Sequence, residues 1–253
     1  MNFLYNLVDI FLMNNNEKTI YKIIKNEPQK VIFDVGSFKG RFTKKILKID
    51  QNKETKYFLF DPNPKSRLYL DEIMNKNPNI FFDCVGLSNQ AEKKIFYLNS
   101  FFEASGSSFQ TISKDDKLWN ISRKLITTFN IFNLDSKNNF KSFKVKTNTI
   151  DQFCSTNQID KIDLLKIDAE GHEEYILEGA SKMLEKEKIK LIYIEILSTK
   201  QLFKQKKDKI INRLEKQNFK FIKEYPIYSV SILSNLKASD FLLINNNYSC
   251  DNK

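Results

Sequence analysis

"LLKIDAEGHEEYILEGA", residues 164–180, decides the fold. Leu164 and Leu165, with Ile162 just upstream, form a short apolar run of the kind that becomes a buried strand. The run ends in Asp168, Glu170 and Gly171, then His172, which is the only histidine in the chain. "EEYILEGASKMLEK" follows with helical spacing, and "KLIYIEIL" is a further apolar strand. A strand that delivers two carboxylates and an imidazole to its tip before a helix is a β-α unit with chemistry at the strand's carboxyl end.

The same rhythm extends in both directions. "KVIFDVG" is a strand stopped by Gly36, and "RFTKKILKI" continues it as a helix. "KYFLFDP" is closed by Asp61-Pro62 and followed by the helix "KSRLYLDEIM", and "IFFDCVGL" reads as a third strand. After residue 197 come a helix at "KDKIINRLEKQ" and the strands "KFIKEYPIY" and "DFLLINN", the last of which could form an antiparallel hairpin. Strands alternating with helices predict an α/β fold built on a parallel sheet. In the middle, "KKIFYLN" and "FKSFKVKTNTI" alternate well enough to pair around an insertion at about residues 99–140, where Leu118, Ile121, Leu125 and Phe129 share one helix face. The organisation predicted is an N-terminal helical extension over residues 1–27, one domain over 28–246 and a frayed tail over 247–253.

Composition sets the class. A chain of 253 residues, 41% hydrophobic and 28% charged, is long enough to bury a full core. The formal net charge of +10 invites an anionic partner, but nearly all of it is lysine scattered over helix faces. Cys84, Cys154 and Cys250 are too few and too far apart for a disulfide framework or a zinc site, which fits a reducing cytoplasm. "MNFLYNLVDIFLM" is apolar but too short to span a bilayer, and it lacks the features of a signal peptide. It reads as an amphipathic helix packing on the domain.

Ligands of open α/β sheets bind beyond the carboxyl ends of the strands, so the strand ends carry the functional signal. After the first strand, "DVGSFKG" places Gly36 and Gly40 for a tight turn and close backbone approach. It is neither a Walker loop nor G-x-G-x-x-G. Asp34 before the turn would repel a pyrophosphate and suits a ligand with a cationic amino group, such as the methionine part of S-adenosylmethionine. Asp61, at the end of the second strand, can accept hydrogen bonds from both hydroxyls of a ribose. Together these residues favour an adenosine-bearing cofactor without phosphates.

"VIFDVGSFKGRFT", "YFLFDPNP", "VGLSN", "SGSSF", "TNTIDQF" and "IDLLKIDAEGHEEYILEGA" occur in the order found in FkbM-family S-adenosylmethionine-dependent methyltransferases, over roughly residues 31–197. The chain resembles that family. The resemblance implies a class I methyltransferase (Rossmann-like) fold, with a seven-stranded, mostly parallel sheet, an antiparallel last strand and helices on both faces. It also implies methyl transfer to a hydroxyl of a sugar, glycan or small natural product, with S-adenosylhomocysteine as product. By the resemblance Asp34, Gly36 and Gly40 match the cofactor loop and Asp61 the ribose-binding acid. Cys84 and Val85 fall where the adenine passes the third strand, and Asp168 matches the acid beside the methionine end. Phe38 stands where relatives often carry a small polar residue such as Asn, and Asp61 is commonly Glu.

O-methylation needs a base for the hydroxyl proton and tight positioning. His172 is the first candidate, since the positive end of the helix dipole would favour its neutral form. Asp168 and Glu170 are the alternatives. Asp168 and Glu170, with Glu195 at the end of the next strand, could also hold magnesium or calcium, but no metal site is assigned on two or three acids. Glu173 and Glu174 complement the helix start. Ser105, Ser107 and Ser108 of "EASGSSF" either line the acceptor site or make a turn. The expected partner is a glycan or small-molecule hydroxyl acceptor. A nucleic-acid substrate is not expected, because no Pro-Pro-aromatic motif and no aromatic-basic RNA motif occurs. A homodimer is compatible with the insertion.

Overall fold

The computed structural model describes residues 18–26, 30–99, 140–227 and 236–248. The N-terminal apolar segment, the insertion with its helical face and its serines, and Cys250 lie outside those residues.

Helix α1 (Lys18–Asn26) leads into β1 (Val31–Val35), α2 (Arg41–Ile46), β2 (Lys56–Phe60), α3 (Ser66–Lys76) and β3 (Ile80–Asp83). The short β4 (Gly86–Leu87), β5 (Lys93–Asn99) and β6 (Phe140–Asn148) follow. Then come α4 (Ile150–Thr156), β7 (Ile162–Ile167), α5 (Glu173–Glu178), α6 (Ser181–Glu185), β8 (Ile189–Thr199), α7 (Lys200–Glu215), β9 (Phe219–Ile227) and β10 (Leu236–Asn245). Seven strands form one sheet in the order β3-β2-β1-β7-β8-β10-β9. β10 is antiparallel to both its neighbours and the remaining pairings are parallel.

The two-residue period of the central strands splits the core into two layers. Phe33, Leu165, Ile167, Ile192 and Ile194 face α4–α7 through Phe153, Ile176, Leu184, Phe203 and Leu214. Ile32, Leu164, Leu191 and Tyr193 face α1–α3 through Ile20, Ile24, Phe42, Ile46 and Leu70. Both faces are therefore covered, which is why β7 is buried along its whole length. In the first layer, Phe153 packs edge-on against Phe33, Phe58 and Phe60 with centroids 5.7, 5.5 and 4.8 Å away.

Two elements differ from the sequence expectation. "IFFDCVGL" is not one strand: it breaks at Cys84-Val85, and Gly86 and Leu87 pair with Thr147 and Asn148 in a separate sheet of order β4-β6-β5. The helix after His172 also breaks, at Gly179. A Cβ there would lie 2.0 Å from the carbonyl oxygen of Ser88, so the helix touches the chain just past β4 backbone to backbone. The second piece, α6, restarts because the Asp151 carboxylate accepts the N–H groups of Lys182 and Met183 at 2.9 and 3.0 Å. β5 and β6 pair antiparallel, as their alternation suggests.

Candidate active site

Strand order reverses at β1, with β2 and β3 to one side and β7 and β8 to the other. The crevice beyond the carboxyl ends of β1 and β7 is where such a sheet takes a ligand. The glycine turn lies there. Gly36 has φ +75°, and a Cβ on it would sit 1.8 Å from the carbonyl oxygen of Asp168. The N–H groups of Gly36 and Ser37 both donate to the carbonyl of Phe60, at 2.9 and 3.1 Å, which ties the turn to the end of β2. Gly40 closes the turn at φ +67°, where its missing side chain admits Leu70 and Ile73 of α3.

Asp61 follows β2 and is buried. Its Oδ2 accepts the Phe38 N–H at 2.9 Å and its Oδ1 the Asn63 N–H at 2.8 Å. A carboxylate oxygen can accept more than one hydrogen bond, so both retain capacity for hydroxyl donors. Burial pushes this carboxyl up to about 6, against the backbone bonds from Asn63 and Phe38 that favour the ionised form. Beyond β3, Cys84 is exposed while Val85 is buried. Burial raises the Cys84 thiol, and the charges of Asp61 and Asp83 add to that.

Asp34 is fully buried. Its Oδ2 accepts the Thr43 hydroxyl at 2.7 Å and its Oδ1 lies 3.2 Å from the Lys166 ammonium. It therefore lies beneath the crevice, held by Thr43 and Lys166. Lys166 is the residue that sequence reasoning missed. It pairs directly with Asp34 across β1 and β7, lies 3.4 Å from Asp168 Oδ2, and donates to the carbonyls of Val35 and Gly36 at 3.3 and 3.2 Å. One ammonium thus joins both strand ends and the glycine turn. Despite its burial, the carboxylates of Asp34 and Asp168 keep Lys166 firmly protonated. The signal was a lysine inside "LLKI", since a charge in a buried strand demands a buried partner.

On the other side of Asp168 the chain turns through Glu170 at φ +50° and Gly171 at φ +103°. Glu195 follows Ile194, which pairs with Ile167, so Glu195 sits level with Asp168. It is partly solvent-accessible, yet densely surrounded, on an interior strand where it pairs with Asp240 of β10. That burial, with Asp168, Asp240, Glu170 and Glu173 nearby, raises its carboxyl well above the ordinary range. Among the described residues no three His, Cys, Asp or Glu side chains converge as a metal site. Glu173 is buried, accepting the Gly171 N–H at 2.7 Å and pairing with Lys206 at 2.7 Å.

His172 precedes α5 and is only 3% exposed. Its Nε2 is 3.0 Å from the Ser88 hydroxyl, and its ring stacks on Tyr175 at 4.7 Å. Lys94 donates to the same hydroxyl at 3.0 Å. Burial first, then the charges of Lys94 and Lys206, bring its pKa down to about 4. The imidazole is neutral at pH 7, for reasons of burial and neighbouring cations. An unfolded histidine titrates near 6.5, so acid protonates the unfolded chain first and stability falls between about pH 6.5 and 4. The loss reaches about 3 kcal/mol, at 1.36 kcal/mol for each pKa unit. Asp61 acts oppositely over pH 6 to 4, because its folded pKa is raised. Comparing urea midpoints of wild type and His172→Asn at pH 7.5 and 4.5 isolates the histidine: the variant should lose less stability on acidification.

A sheet in this order, with a lone antiparallel strand placed second from one edge, a glycine turn after β1 and an acid after β2, is the class I methyltransferase fold. The model of the methyltransferase FkbM domain matches residues 34–221. The chain belongs to the FkbM methyltransferase family. Comparison with curated protein sequences gives no match. Among solved structures, methyltransferase FkbM from Methylobacillus flagellatus KT is similar at 11% identity and TM-score 0.49, over 85% of this chain and 43% of that one. The chain thus spans less than half the length of that protein. Trm5b from Pyrococcus abyssi is similar at 11% identity and TM-score 0.48, over 91% and 48%. TrmK from M. capricolum, solved with S-adenosylhomocysteine, is similar at 12% identity and TM-score 0.46, over 92% and 71%. No helix among the described residues is long and apolar enough to cross a membrane.

Proposed function

We propose that the chain is an S-adenosylmethionine-dependent O-methyltransferase acting on a hydroxyl of a sugar, glycan or small natural product. The observation that carries the cofactor part of this reading is Asp61, and the hydroxyl acceptor follows from the family likeness. Asp61 is an acid at the end of the strand beside the glycine turn, fixed by two backbone N–H groups and still able to accept from a ribose diol. The residues fit the cofactor. Gly36 opens the turn, Asp168 offers a partly exposed carboxylate to an amino group, and Cys84 and Val85 border the adenine side. S-adenosylmethionine, when bound, supplies an electrophilic methyl group.

The chain's own contribution is to orient the acceptor hydroxyl and take its proton. Asp168 faces the cofactor's methionine end in this reading and Glu170 the acceptor, with either carboxylate able to take the proton and Glu195 level with Asp168. His172 is buried against the Ser88 hydroxyl, so it takes part as base through a relay by way of that hydroxyl.

Calorimetry with S-adenosylhomocysteine, followed by a methyl-transfer screen over nucleotide sugars, glycans and RNA, tests the reading. Binding of the homocysteine product by wild type and transfer to a sugar hydroxyl are expected. Asp61→Ala should weaken binding by about 1.5–3 kcal/mol, the usual value of a charge-assisted hydrogen bond. No binding by folded wild type sinks the enzyme reading, and transfer to RNA alone sinks the acceptor assignment.

A further inference from the structure

Phe38 sits at φ +38°, in the left-handed region. The other non-glycine residues with positive φ among the described residues are Gln158, Glu170, Glu187 and Asn218, all polar. A bulky L-residue is sterically disfavoured there, and such a conformation persists only where its surroundings enforce it. Outliers of this kind concentrate at ligand sites.

Two sets of contacts enforce it. Phe38 donates its N–H to Asp61 Oδ2 at 2.9 Å. Its ring meets Tyr69 of α3 edge-on at 5.5 Å, and the Lys39 ammonium lies 4.5 Å from the Tyr69 centroid and 5.1 Å from that of Phe38. The rest of the turn is anchored independently, through Gly36 and Ser37 on Phe60. Among the described residues, Phe38 is what connects it to the Asp61 side chain.

We propose that Phe38 is a positioning residue for the candidate cofactor site: its left-handed backbone aims an N–H at Asp61 Oδ2, and the Phe38–Tyr69–Lys39 stack holds that conformation. The geometry divides the labour at Asp61. Asn63 fixes one oxygen from the chain after β2, and Phe38 fixes the other from the turn after β1. The remaining groups facing Asp61 are Ser66 of α3, Lys166 of β7 and Cys84 after β3. None of these is a backbone donor. Without the Phe38 N–H, Oδ2 loses the bond that sets the carboxylate plane for a ribose diol, and ionising Asp61 becomes harder.

The inference rests on the reading of Asp61 as the ribose acid, and two substitutions separate backbone from ring. Phe38→Gly removes the ring but adopts positive φ freely. Phe38→Val is β-branched and strongly opposes it. In calorimetry with S-adenosylhomocysteine over a pH series, Phe38→Val should bind about tenfold more weakly, as expected for one misdirected charge-assisted bond. Its acid midpoint for binding should lie higher than that of wild type. Phe38→Gly should stay within about twofold of wild type, since an N–H to the carboxylate survives. Wild-type affinity in Phe38→Val overturns the proposal. So does an equal loss in both variants, which would assign the effect to the ring. If Phe38→Val fails to fold, Tyr69→Ala takes its place: weaker binding with a raised acid midpoint supports the stack, and wild-type behaviour overturns it. No binding by wild type itself would instead sink the cofactor reading.

Discussion

Lys166→Met is expected to cost about 3–5 kcal/mol of stability, the usual result of removing one partner from a buried ion pair. Asp34 has no access to water, and after the substitution only the Thr43 hydroxyl addresses its carboxylate. The carbonyls of Val35 and Gly36 lose a donor at the same time. A folded domain is stable by only about 5–15 kcal/mol, so the loss should be plain in a urea titration. The paired substitution Asp34→Asn with Lys166→Met removes the orphaned charge and should recover part of the loss. A double variant no more stable than Lys166→Met would show that the lysine matters for its packing alone. Because Lys166 also holds Asp168, the double variant should still bind S-adenosylhomocysteine poorly even where stability returns.

Gly36→Ala should be the more damaging of the two for ligand binding. The obstacle is backbone, since the new methyl would meet the Asp168 carbonyl oxygen at 1.8 Å, and neither side can yield by rotating a side chain. Relief requires β1 and β7 to part where the Asp168 N–H donates to Val35 at 3.0 Å. Loss of measurable S-adenosylhomocysteine binding and a stability loss of about 3 kcal/mol or more are expected, the range of overpacking plus strain at positive φ. Gly40→Ala is the internal comparison. Its Cβ would meet only the side-chain ends of Leu70 and Ile73, at 2.7 and 3.0 Å. These can move, so the cost should fall to about 1–2 kcal/mol. Equal melting temperatures for the two variants would contradict the close approach at Gly36.

What was legible in the sequence follows from which interactions are local. Buried parallel strands are continuous apolar runs, so Val31–Val35, Lys56–Phe60 and Ile162–Ile167 could be read directly, with Asp34 inside the first and Asp61 and Asp168 just past the others. For β9 and β10 the sequence allowed an antiparallel hairpin without requiring it, and the structure pairs them that way. The break at Cys84-Val85 was not legible, because it is imposed by Thr147 and Asn148 of a strand far along the chain. Gly179 could have been read as a helix end, but its reason, the Ser88 carbonyl, is again distant. Lys166 was hidden among apolar neighbours, and its partner Asp34 lies on another strand. His172 shows the limit most clearly. Its neutral form was anticipated from a helix dipole, whereas the structure attributes it to burial and to Lys94 and Lys206.

The position of β10 has a consequence for synthesis. This strand slots between β8 and β9, although it leaves the ribosome after both. Until residues 236–245 emerge, the eleven residues of β8, Ile189–Thr199, present an unpaired, largely apolar edge, and β9 has no strand to join. The nascent chain therefore carries an adhesive strand edge from the emergence of β8 until β10 follows. A ribosome-stalled chain ending before residue 236 should aggregate, or be held by chaperones, where the chain through residue 248 does not.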